Sequence, residues 1–546
     1  MKYIKKHWFI LLFVLLTIIR FILSYKLPVF YLGNLAYDDV LMIYQSEDLL
    51  NGLFLGQYSP TILVKGIVFP ILISLIQMFK LSYSITFTLL FISACIYFIN
   101  AFRKLTNNKK YLLIIYAALL FNPVSFSSDL FQRLYRNTLS VTELLFFFGA
   151  IINILKAKKY KVLHHIFLGF ITSLMYLTRE DNIWTYLVFF VVYGYFITKN
   201  ISNIKKKNIQ FRMILLRIVP FFVIFLNLHI VSLINYNHYY VYTYNELNDS
   251  SFKEAYIKVL QIKDDKKEKK VAIPKSTFFK LADNVEMLNM TREDVDAFYQ
   301  KHQDPNGEIN NGNILWYFRG LMNERQVFHN GRQANEFYKR LSIELDRLFE
   351  EKVFEKEFVM PSPLVYMFNS EELMEIPKSI IDTIVYTTTY KNIKTLSNTD
   401  MKSNTTYKYD DLHSVNMLLY GDYRNTENLP TSNPIIYEIL RLVYKYFTII
   451  FSIISLLIYI KNITKKDEFN IVLHSILLSY LAIIGGVAYT NVTAFPSIRY
   501  FYLGNTYILQ NLFILINLIR YIDKNGLNFF KRKEKNKKMK LNQKTL

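Results

Sequence analysis

Long apolar runs recur along the chain near residues 7–25, 62–79, 82–101, 111–124, 138–155, 162–178, 182–198, 211–234, 436–460, 469–488 and 498–522. A helical bilayer crossing needs about 20 predominantly apolar residues, and a soluble core does not call for so many uninterrupted ones. The chain therefore reads as a polytopic α-helical membrane protein. The first run follows the basic start Met1 to Lys6 with no small-x-small cleavage signature behind it, so an uncleaved signal anchor is expected.

Charge orients the runs. Lys and Arg number 65 against 43 Asp and Glu, a formal net charge of +22. That excess does not mark a nucleic-acid binder, because most of its basic clusters sit in short segments between apolar runs, where lysine sets membrane orientation. Arg103-Lys104 with Lys109-Lys110, Lys156 to Lys161, Lys205-Lys206-Lys207, Lys461 with Lys465-Lys466, and the tail 523–546 are all expected in the cytoplasm with the N-terminus. If every run crosses, the cluster Arg103 to Lys110 falls outside. If 62–79 is a re-entrant or surface-lying segment, every cluster falls inside. About ten transmembrane helices are therefore expected. Ser59-Pro60, Lys65-Gly66 and Pro70 interrupt 62–79, and irregular backbone at membrane depth is tolerated where protein covers it. Cys95, the single cysteine, lies in an apolar run, which excludes an intramolecular disulfide.

With that parity, the loops 26–61, 122–137, 179–182 and 489–498 face outward together with one much larger region. Residues 236–435 are polar, mixed in charge and punctuated by proline, and are as long as a folded domain. Glu336 to Phe354 has helical apolar spacing, whereas the β-branched run Ile381 to Tyr390 reads as a strand. A large extracytoplasmic α+β domain between the seventh and eighth spans is expected. It would separate a membrane module at 1–235 from the C-terminal helices at 436–522.

The residues able to carry chemistry cluster on the outward loops. Asp38 and Asp39 are adjacent acids just before an apolar stretch, so at least one needs a cation, a helix N-terminus or a metal beside it, and either can serve as a general base. A solvated helix cap is the competing reading. Arg133 and Arg136 are three apart and would share a helix face as a phosphate clamp; lipid headgroup contact is the alternative. Glu143 follows inside an apolar run, where pairing with one of these arginines would offset its cost. Arg179, Glu180 and Asp181 crowd a tight turn at the outer surface, where an internal pair of Arg179 with Glu180 or Asp181 is the alternative to a ligand site. Lys65 and Arg499 are two further outward cations, each also readable as a snorkelling anchor. The histidines show no metal-ligand spacing, and no CxxC, Walker A or HExxH pattern occurs.

Asp38-Asp39 at the end of the first span, with juxtamembrane segments over 40–79, resembles the GT-C superfamily of membrane glycosyltransferases. The Lys65-Gly66 segment, the Arg133 to Asn137 loop and Leu177-Thr178-Arg179-Glu180-Asp181 add to the resemblance, which covers residues 1–235. It implies inverting transfer of a sugar from a polyprenyl-phosphate-linked donor to an extracytoplasmic cell-envelope acceptor (glycan, glycolipid, teichoic acid or protein). Asp38 or Asp39 would be the base. Arg133, Arg136, Arg179 or Lys65 would stabilise the charge of the donor phosphate, with Glu180, Asp181 and Arg499 among the substrate-binding residues. No cofactor is assigned; a divalent metal between the two acids stays open, with no further ligand in the sequence. Two other functions compete: a transporter or flippase of a lipid-linked saccharide, against which the lack of paired broken helices in the two halves counts, and a non-catalytic envelope-assembly scaffold.

Overall fold

The computed structural model describes residues 2–25, 27–32, 38–157, 161–204, 211–367, 369–397 and 434–542, with side chains omitted at 2–6, 200–204, 211–214 and 524–542. The expected basic cluster Lys205-Lys206-Lys207 and residues 398–433 lie outside these segments, as do the side chains of the tail beyond Asp523. Among the described residues there is no β-strand, only isolated bridges between residues of loops and turns.

The membrane-type helices follow the apolar runs: α1 (Lys2–Tyr25), α4 (Tyr83–Phe102), α5 (Lys109–Leu120), α6 (Asn137–Leu155), α7 (Val162–Thr178), α8 (Thr185–Ile204), α9 (Phe211–Tyr239), then α16 (Pro434–Ile460), α17 (Glu468–Thr493) and α18 (Gly504–Asn542). Among the described residues, six stretches are long and apolar enough to cross a bilayer: His7–Tyr25, Tyr83–Phe102, Asn137–Leu155, Leu215–Tyr239, Pro434–Ile460 and Glu468–Thr493. The protein is thus a helical protein with a membrane-compatible bundle. α5 and α7, also expected to cross, have 12 and 17 residues.

α6 forms the axis of the bundle. It is buried over 94% of its apolar window and packs against α4, α7, α17 and α18, whereas α1 is buried over only 11% and presents its apolar face outward. The two remaining N-terminal helices are short: α2 (Asp38–Leu50) carries the acid pair in its first turn, and α3 (Val68–Met78) follows the irregular stretch after Lys65. Eleven residues rise about 16 Å, roughly half the hydrocarbon thickness, so α3 is too short to cross as a straight helix.

Residues 240–367 form a helical layer of α10 (Ser251–Leu260), α11 (Lys275–Asn284), α12 (Arg292–His302), α13 (Ile314–Glu324) and α14 (Gly331–Glu350), around a core that includes Phe252, Phe278, Phe318 and Tyr338. Side-chain caps start several of them, such as the Thr291–Asp294 capping box of α12 and Asn330 at α14. The strand expected at Ile381 to Tyr390 is instead the C-terminal half of α15 (Ser370–Thr388) and the turn after it. A capping box of Asn369 and Glu372 nucleates α15 upstream, and its small and β-branched face docks on α17. Ser379 Oγ donates to the Ala488 carbonyl at 3.1 Å, and Thr387 and Tyr480 share a hydrogen bond at 3.1 Å. Packing on a neighbouring helix here overrides β-propensity. The described part of 236–435 is therefore helical rather than α+β, and its last helix packs on the bundle.

Candidate functional site

The acids are placed by two loop segments that pair over a single bridge. The Phe30 amide donates to the Gln132 carbonyl and the Leu134 amide to the Phe30 carbonyl, both at 2.8 Å, which holds Arg133 extended (φ −90°, ψ 130°). From that backbone the Arg133 guanidinium reaches Asp39, with Nε donating to Oδ2 at 2.8 Å and Nη2 to Oδ1 at 2.5 Å. The Leu32 amide adds a third donor at 3.0 Å. Asp39 is 0% exposed, while its neighbour Asp38 is 32% exposed. Asp38 receives the Tyr135 hydroxyl at 2.8 Å and stands 3.0 Å from Lys65 Nζ. Both carboxylates also lie in the first turn of α2, where the helix dipole favours negative charge.

Lys65 is delivered by a loop anchored at both ends. On one side the buried Arg319 pairs with Glu246 at 2.5 Å and donates through Nε to the Pro60 carbonyl at 2.7 Å, while the Glu246 amide donates to the Leu63 carbonyl at 2.9 Å. Tyr58 completes this node by donating its hydroxyl to Glu246. On the other side Gly66 lies flat on the C-terminal end of α7: a Cβ there would stand 1.9 Å from the Leu177 carbonyl oxygen. Glycine is required by this close approach. The indole of Trp316 on α13 covers Lys65, with Nζ 5.2 Å from the ring centroid.

The turn after α7 closes the cluster. Arg136 grips Glu180 with two nitrogens at 2.5 and 3.0 Å and donates to the Thr178 carbonyl at 3.2 Å. Arg179 pairs with Asp181 at 2.8 Å and also donates to the Asn137 side chain. Lys65, Arg133, Arg136 and Arg179 thus face Asp38, Asp39, Glu180 and Asp181, four cations against four anions.

These contacts set the ionisation. Burial works to raise the Asp38 pKa, but Lys65, Arg136 and the Tyr135 bond outweigh it and hold the carboxyl below its usual range. At Asp39 burial prevails and pushes the pKa up against the pull of Arg133. Burial works against the charge of Lys65, yet Asp38 keeps its pKa above the ordinary value. Glu180 is likewise opposed by burial but drops to about 2 under Arg136 and Lys65.

Several sequence expectations change. Arg133 and Arg136 do not share a helix face, because the stretch before α6 is extended at Arg133, and each serves a different carboxylate. Glu143 pairs with neither arginine; it accepts from the Thr178 hydroxyl at 2.7 Å. Arg179 chooses Asp181 over Glu180, which leaves Glu180 to Arg136. Arg499 is exposed in the turn before α18 and makes no ion pair among the described residues. It nonetheless acts on the same space: burial raises the Tyr502 pKa while Arg179, Lys65 and Arg499 pull it down. Each acid of the α2 pair is satisfied by its own protein cation, so the two do not present a ready metal position, and no group of three metal-ligating side chains comes together among the described residues.

Three contributors were not singled out from sequence. Tyr135 was hidden between the two arginines, although residues 133 and 135 of an extended segment share a face; the Arg133 guanidinium in fact lies over the Tyr135 ring at 4.7 Å. Trp316 and Tyr502 come from segments remote in sequence and carried no local signal. Comparison with protein-family models, with curated proteins and with solved structures returned no match.

Proposed function

We propose that the protein is an integral membrane glycosyltransferase that moves a sugar from a polyprenyl-phosphate-linked donor to an extracytoplasmic envelope acceptor, with about ten crossings placing the acid cluster on the outer face. The observation that carries this reading is the division of labour between the adjacent acids. Asp39 is sealed and bound by Arg133, while Asp38 keeps 32% of its side chain accessible beside Lys65 and Tyr135. A carboxylate fixed by its neighbours yet open on one side is what a general base acting on an incoming hydroxyl requires.

In this reaction Asp38 takes the proton of the acceptor hydroxyl as its oxygen forms a bond to the anomeric carbon. The bond from that carbon to the phosphate oxygen breaks, and polyprenyl phosphate leaves with the electron pair and inversion at the sugar. Charge on the departing phosphate needs fixed cations. Arg133 is committed to the sealed Asp39 and Arg136 grips the half-buried Glu180 through two nitrogens, so that task falls to Arg179 and Arg499. Asp181, the partner of Arg179, is 58% exposed although Arg179 itself is buried, so this carboxylate can turn to solvent and yield its place to a phosphate. Arg499 makes no ion pair among the described residues, although its charge acts on Asp129.

Reconstituted protein given a polyprenyl-phosphate hexose and envelope fragments is expected to release polyprenyl phosphate. Passage of intact lipid-linked sugar between leaflets without that release identifies a transporter instead and overturns the reading.

A further inference from the structure

A second cationic site lies away from the acid cluster, where the N-terminal end of α1 meets the link between α4 and α5. A cavity of about 310 Å³ opens there, with His7, Arg103, Asn107 and Lys109 at its polar side and Phe9 and Leu112 at its apolar side. Arg103 and Lys109 are exposed and make no ion pair among the described residues. The Lys109 ammonium stands 5.9 Å from the Phe9 ring, turned toward the groove wall. Nothing nearby in sequence balances this charge: no acidic residue precedes Asp38, and none occurs between Asp48 and Asp129.

The surroundings select the ligand. His7 marks the start of the apolar stretch of α1, so the cavity sits at headgroup level, and below it Ile10, Val14 and Ile18 run exposed along one face of that helix. Basic pockets between membrane helices bind anionic lipid headgroups. We propose that this groove holds the phosphate of an anionic phospholipid, with an acyl chain lying along the exposed face of α1. The inference does not depend on the transferase reading.

The test uses the full-length chain in detergent, titrated with phosphatidylglycerol or phosphatidylcholine, with retained lipid counted by native mass spectrometry. The wild type is expected to prefer phosphatidylglycerol, and Arg103→Ala with Lys109→Ala is expected to weaken that lipid about tenfold to thirtyfold. Asn107→Trp, which fills the groove without removing a cation, should weaken it as well, while Lys461→Ala with Lys465→Ala, equal in charge loss, should not. Equal losses in the groove and control variants, an unchanged affinity in Asn107→Trp, or inorganic phosphate binding as well as the lipid would each overturn the proposal.

Discussion

The Arg133 guanidinium holds Asp39 through two nitrogens, at 2.5 and 2.8 Å, in a place where the carboxylate is sealed from solvent. Removing one partner of a buried pair strands the other charge and typically costs about 3–5 kcal/mol, whereas replacing both by apolar groups costs far less. Asp39→Leu and Arg133→Leu are each expected to lower the thermal midpoint in detergent strongly. The loss in the double variant should be well below the sum of the two single losses, and additive losses would show that the residues act independently.

Lys65 acts on Asp38 through charge. Burial and Lys65 pull the Asp38 pKa in opposite directions, with Lys65 and its neighbours prevailing. In Lys65→Gln the upward pull of burial is left less opposed, so the acid limb of the transfer pH–rate profile should move to higher pH. A limb that stays in place would mean that another group sets it.

How much of this was legible beforehand differs residue by residue. Charge parity along the apolar runs grouped Asp38, Lys65, Arg133, Arg136 and Arg179 on one expected side, and the fold does bring these side chains into one cluster. Which carboxylate each cation takes was not legible, because it depends on Arg133 lying in an extended segment bridged to Phe30, a pairing between segments about a hundred residues apart. Ile381 to Tyr390 misled in the opposite way. Its β-branched composition is local, while the capping box at Asn369 and the docking face on α17 that make it helical lie outside that window.

Glu180 ties stability to acid. A carboxyl whose folded pKa lies below its unfolded value stabilises the fold above the unfolded value and loses that contribution as pH falls through the folded one. With an ordinary value of 4.5 and a folded value of about 2, the Arg136–Glu180 contribution is complete above pH 4.5 and disappears toward pH 2. It amounts to roughly 3 kcal/mol. Glu180→Gln should therefore flatten the fall in thermal midpoint across that interval relative to the wild type.

Gly66 permits the Lys65 loop to rest on α7. In Gly66→Ala the new methyl meets the Leu177 carbonyl, a backbone atom that cannot swing aside. A stability loss of about 1–3 kcal/mol is expected from overpacking, together with a fall in transfer rate as Lys65 moves off Asp38. An alanine variant matching the wild type in both would show that the loop yields at this contact without moving Lys65.

The most direct test concerns Asp38 itself. Asp38→Asn preserves shape and the Tyr135 contact but cannot take a proton, so reconstituted enzyme should release polyprenyl phosphate about 10²- to 10⁴-fold more slowly while its donor affinity stays near that of the wild type. Release at the wild-type rate by a folded Asp38→Asn protein would contradict the account.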